Sequence, residues 1–150
     1  MQTSELPAAL VADANAVLSA VIGGRSSLAF GHIGAPPVHA ADAVRQDVLN
    51  WLPKLAARRS LDLGLRLALF QLLPIRWAGE TEYRSREIEA RRRMHQRDEA
   101  DWPTVALALV LSESRTVRIW TNDKDFSAAG IGTITTGELL DQLRRRSARS

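Results

Sequence analysis

A chain of 150 residues, 45% of them hydrophobic, has the size of one compact domain and the material for a substantial core. The absence of cysteine excludes disulfides, thiolate metal sites and cysteine nucleophiles, and fits a reducing cytoplasm. The net charge is +3, from 20 basic against 17 acidic residues, and no apolar run approaches the ~18 residues of a membrane span. Met1 to Ala9 lacks a basic start and a long apolar stretch, so no signal peptide is expected. A single domain over 1–150 is expected, with flexible ends at 1–7 and 147–150.

In chain order, Leu10-Val11-Ala12 is a short strand candidate, and Asn15 to Ile22 has apolar residues at helical spacing up to Gly23-Gly24. Ser26 to Ile33 suggests a second short helix, and Pro36 to Ala40 an extended approach to a second strand. Ala41 to Leu52 is helical, with Pro53 expected to stop or bend it. Leu55 to Leu73 is again helical, with Gly64 the expected weak point; for its leucines core packing is the default and a dimer or partner groove the second option. Pro74 to Trp77 is a third strand. Glu80 to Gln96 reads as one long polar helix, with pairs Glu82–Arg86, Glu87–Arg91 and Glu89–Arg93 four apart. Thr104 to Leu111 is an almost wholly apolar helix, with Asp98 a suitable cap and Pro103 in its first turn. Val117 to Trp120 and Gly130 to Thr135 are strands. Thr136 or Gly137 caps a last helix, which frays into an arginine tail. Strands alternating with helices predict an α/β fold: three layers around a mostly parallel sheet of four to five strands.

The acids carry the chemistry. Asp13 follows strand one, Asp98 and Asp101 open the apolar helix, and Asp123 and Asp125 follow strand four. Taken singly, Asp13 reads equally as a helix cap or a ligand, Asp98 as a cap, and Asp123 as a turn residue. Asp101 has no structural need to be acidic. In a right-handed parallel sheet all three points reach one edge, at the carboxyl ends of the strands. Carboxylates gathered there repel unless a cation lies between them. Oxygen-only donors suit Mg²⁺ or Mn²⁺, and such an ion can activate water for attack on a phosphodiester.

The runs Val11-Ala12-Asp13-Ala14-Asn15-Ala16-Val17-Leu18, Asp101-Trp102-Pro103-Thr104-Val105-Ala106-Leu107-Ala108 and Trp120-Thr121-Asn122-Asp123-Lys124-Asp125-Phe126 resemble, in this order, the PIN-domain nucleases and their VapC-like toxin branch. The resemblance implies a PIN fold and a Mg²⁺- or Mn²⁺-dependent endoribonuclease acting on an RNA substrate. It also implies a homodimer and a cognate antitoxin. It places the family's first, third and fourth acids on Asp13, Asp101 and Asp123, with Asn15 and Thr121 at supporting polar positions. Asp98 and Asp125 stand beside them as further supporting acids. The second acid, a glutamate in the family, falls on an aspartate here. Asp47 is chosen over Asp42 because Trp51-Leu52-Pro53 follows it in register.

Arg84, Arg86, Arg91, Arg92, Arg93 and Arg97 crowd one segment. They read as a solvated, ion-paired face first and as a phosphate grip second, with Arg93 and Arg97 the candidates for RNA contact. His32, His39 and His95 have no ligand spacing. Trp51, Trp77, Trp102 and Trp120 read as core or interface anchors. Two rival functions are a catalytically weak or inactive PIN-like module that binds RNA or protein, and an unrelated α/β phosphohydrolase. No phosphate-binding glycine loop is present.

Overall fold

The computed structural model describes residues 5–149, the side chain of Arg149 excepted. The expectation of flexible ends lies partly outside the described residues, at 1–4 and 150; residues 147–149 belong to the last helix.

Five strands form one sheet: β1 (Ala9–Ala12), β2 (Val38–Ala41), β3 (Ile75–Ala78), β4 (Val117–Trp120) and β5 (Thr133–Ile134). Their order is β3-β2-β1-β4-β5, and every pairing is parallel. Alternate residues of a strand face opposite layers. Val11 and Ile119 therefore join one apolar cluster, while Leu10 and Trp120 join the other. The second layer holds α1 (Ala14–Val21), α2 (Ser26–Phe30), α3 (Asp42–Arg58), α4 (Leu63–Leu72) and α8 (Thr136–Arg149). The first holds α5 (Glu80–Tyr83), α6 (Glu87–Met94) and α7 (Trp102–Leu111). This is the expected three-layer α/β/α arrangement, with all five strands parallel.

The chain builds β1, β2 and β3 outward on one side, then returns to set β4 on the other side of β1. The reversal lies between β1 and β4, and open α/β sheets use the carboxyl ends of their strands at such a point for binding. α7 is buried at every residue from Trp102 to Leu109, as its continuous apolar sequence requires. It runs back along the sheet, so its N-terminus reaches the same edge.

Four local expectations change. The polar segment is not one helix: α5 and α6 are separated by a 3-10 turn at Arg84–Arg86. Glu82 does not pair with Arg86 but accepts from the Gly79 backbone N–H at 2.7 Å, while Arg86 turns to Glu89 and Glu113. Glu87–Arg91 and Glu89–Arg93 form as expected. Pro53 lies inside α3, which continues through it because Val48, Leu52 and Ala56 on both sides are buried against the core. The break before α4 falls not at Gly64 but at Ser60, whose φ is 55°. Asp62 then caps α4 by accepting from Leu65 N. α4 is less buried than its sequence suggests: Phe70 is its buried residue, and Leu65, Leu69 and Leu72 are exposed. No helix among the described residues is long and apolar enough to cross a membrane.

Candidate metal centre

Asp13 leaves β1 in extended conformation and caps α1, its Oδ1 accepting from Ala16 N at 2.9 Å. Its Oδ2 accepts from the Thr121 hydroxyl, one residue past β4. The same Thr121 oxygen accepts from Asp123 N at 2.9 Å. One buried hydroxyl thus ties together the acids that follow β1 and β4. Asn15 contributes to Asp13 through its backbone N–H. The Asp123 Oδ1 accepts from Asp125 N at 2.9 Å and opens the 3-10 turn Lys124–Ala129. The cap and turn readings of Asp13 and Asp123 therefore hold together with their meeting at one edge.

Asp13, Asp47 and Asp101 line a small cleft of about 20 Å³, with Ala14, Ala43, Val44, Ala100, Pro103 and Thr104 completing its walls. That volume has the scale of one small ion or water. Of the two aspartates weighed on α3, Asp47 faces this cleft, while Asp42 accepts from the Tyr83 hydroxyl at 2.6 Å. Ala43, Val44 and Asp47 share a helical face, which explains the choice. Thr104, one turn beyond Asp101, also lines the cleft and is a residue the sequence expectations lack, although its spacing of three from Asp101 places it on the same face.

The charges feel one another. Burial raises the Asp13 carboxyl from 3.8 to about 6, with Asp123 adding to the rise and the Thr121 and Ala16 hydrogen bonds opposing it. Burial also raises Asp101, to about 7, reinforced by Asp98, Asp123, Asp13 and Asp47. Asp47 is raised by burial and then by Asp98. Mutual repulsion of this kind is what a bound cation relieves. As the side chains stand, no three His, Cys, Asp or Glu residues among those described are gathered closely enough to hold one ion. Asp13 and Asp123 are held by Thr121 and by local N–H groups, and Asp47 and Asp98 stand exposed. The donors available are hard oxygens only, which fits Mg²⁺ or Mn²⁺ and no softer metal.

Asp98 caps the 3-10 turn Glu99–Asp101 rather than α7 itself, accepting from Ala100 N. The expected RNA contacts have other partners. Arg93 pairs with Glu89 and donates to the Ala129 carbonyl, next to Gly130, whose φ is 75°. It therefore braces the turn that follows Asp123. Arg97 lies 3.8 Å from Asp125. A further buried network also escaped the sequence reading. The Thr136 hydroxyl accepts from Trp120 Nε1 at 3.0 Å and meets Ser26 Oγ at 3.2 Å, and Thr136 N donates to Asn122 Oδ1. It anchors the Thr121–Asp123 segment from behind.

No curated protein matches this sequence. Among solved structures, a chain of the crystal structure of VapBC2 from Rickettsia felis bound to a DNA fragment from their promoter shares the fold. The TM-score is 0.59 at 11% identity, over 85% of this chain and 98% of that one. The sequence pattern that defines the PIN domain matches residues 11–144, which takes in the end of β1, all of β2 to β5 and all the acids of the cleft edge. The chain therefore belongs to the PIN-domain family.

Proposed function

We propose that this PIN domain is a metal-dependent endoribonuclease, the toxin of a bacterial toxin–antitoxin pair. The observation that carries the reading is the meeting of Asp13, Asp47 and Asp101 at one small cleft, with Asp123 coupled to it electrostatically. Family membership supports nuclease chemistry, and the fold shared with a VapBC2 chain supports the toxin assignment.

Asp13, Asp47, Asp101 and Asp123 would hold one or two Mg²⁺ or Mn²⁺ ions. Such an ion lowers the pKa of water and neutralises charge on phosphoryl oxygens. The chain's own part is positioning. Thr121 orients Asp13 and the Asp123 backbone together, and Ala16 N fixes the second Asp13 oxygen. Asp101, whose carboxyl burial raises to about 7, would release its remaining proton on binding a cation. Hydrolysis leaves 3′-hydroxyl and 5′-phosphate ends. A cognate antitoxin and a homodimer complete the proposal, with the protein acting in the cytoplasm.

Asp13→Asn and Asp101→Asn are expected to abolish Mn²⁺-dependent cleavage of RNA while circular dichroism stays unchanged. Full activity in both variants overturns the assignment. Expression of the wild-type chain is expected to arrest bacterial growth, and Asp13→Asn to release it. Sedimentation velocity reads the dimer. One observation favours an inactive binding module: the acids are not gathered as they stand, and Asp47 is a methylene shorter than the family's glutamate. Calorimetry with Mn²⁺ separates the two readings, because the module requires neither tight binding nor cleavage.

A further inference from the structure

Beside the acid cleft lies a larger groove of about 840 Å³. Ala43, Ala100 and Pro103 line both, so the two adjoin. The groove runs between the first turns of α3, α5 and the start of α7, and its polar lining includes Asp42, Arg45, Gln46, Tyr83 and Arg91. Its charges nearly cancel. Arg91 is paired with Glu87 and Glu99, and the lining residue Glu80 with Arg84. What remains is Asp42 and Arg45, exposed and three residues apart on one face of α3. Arg45 forms no ion pair among the described residues.

We propose that this groove reads one unpaired base next to the scissile phosphate, with guanine preferred; this rests on the endoribonuclease reading above. A phosphate grip requires surplus positive charge, and the groove has none. A neutral base edge requires donors and acceptors side by side, and these are present. The Arg45 fork matches the paired acceptors O6 and N7 of guanine. Asp42, which only accepts when ionised, matches the N–H groups of the same base. The buried Tyr83 hydroxyl holds one Asp42 oxygen at 2.6 Å and leaves the other for a ligand. The carboxylate is thus oriented before any base arrives. The Arg91 guanidinium lies over the buried Trp102 ring, 5.1 Å from its centroid, which holds in the groove wall a guanidinium of the kind on which unpaired bases stack. RNA is read in this way where its bases are unpaired.

The experiment is cleavage of a single-stranded RNA oligonucleotide library, randomised on both sides of the cut, with the products sequenced. Wild type is expected to enrich guanine at one flanking position on the order of tenfold or more. Arg45→Ala and Asp42→Asn are expected to flatten that position, and Tyr83→Phe to weaken it, with preferences elsewhere retained. Unchanged preference in the variants overturns the proposal, and so does enrichment of another base. Uniform loss of cleavage for every sequence also overturns it, since that marks a phosphate contact or a damaged fold. Variants that keep the preference but lose a protein partner place a polypeptide in the groove instead. Wild-type cleavage without any flanking preference sinks the groove assignment alone, whereas a wild type that cleaves no RNA sinks the nuclease reading itself.

Discussion

Asp101 illustrates how a site can oppose the stability of the fold that carries it. Its folded carboxyl titrates near 7, against about 3.9 in an unfolded chain. Between those values the folded state holds a proton that the unfolded state has released. Stability is therefore present in full below the unfolded value and falls as pH rises toward 7. Asp13, raised to about 6, acts in the same direction over a narrower window. Thermal unfolding without divalent ions is expected to show a higher Tm near pH 5 than near pH 8. Added Mn²⁺ is expected to restore much of the difference at pH 8, because the cation binds the deprotonated acids. Asp101→Asn removes the half-buried charge and is expected to raise the Tm at pH 8 while abolishing cleavage, an exchange common at active sites. A lower Tm in that variant would show that the acid is structurally satisfied. At this scale much was legible in the sequence: Asp13, Asp101 and Asp123 stood out because each follows or precedes a recognisable apolar run. The Thr121 hydroxyl that joins two of them spans 108 positions, a separation that local pattern does not encode.

Helices and strands were read well where apolar periodicity was strong and less well where polar detail decided the outcome. The last helix shows this. The expected cap was Thr136 or Gly137, yet Thr135 and Glu138 form the reciprocal box: Glu138 N donates to the Thr135 hydroxyl, and Thr135 N donates to the Glu138 carboxylate. Thr136 is buried instead against Trp120. Thr135→Ala is expected to lower stability by about 1 kcal/mol in urea titration. The helix then runs through Arg145, paired with Asp141, as far as Arg149, rather than fraying after Leu143. At the other break, Ser60 holds a left-handed φ of 55° that a side chain adopts at a penalty. Ser60→Gly is expected to stabilise the protein by about 0.5–1 kcal/mol, the relief exceeding glycine's extra entropy loss. A loss of stability would mean that the serine side chain does more than close the turn. The polar segment after β3 has charge spacing that satisfies helical rules, yet it breaks at Arg84–Arg86, where Arg86 pairs with Glu113 beyond α7.

For the whole molecule, two apolar clusters on opposite faces of the sheet form the core, and none of the acids belongs to either. Chelation of divalent ions is therefore expected to abolish RNA cleavage and leave circular dichroism and the near-ambient folded population intact; unfolding on chelation would make the ion structural. The sequence alone determined the class of fold, the parallel sheet and the three stretches of chain that carry the acids. These follow from short-range periodicity and from the handedness of strand–helix–strand connections, which a linear pattern contains. Only the tertiary structure decided that Asp42 turns to the Tyr83 hydroxyl, that Arg93 braces a turn, that the α4 leucines stand exposed, and that a groove adjoins the acids. Each depends on which element packs against which. That is a property of three-dimensional neighbours far apart along the chain, and no local spacing specifies it.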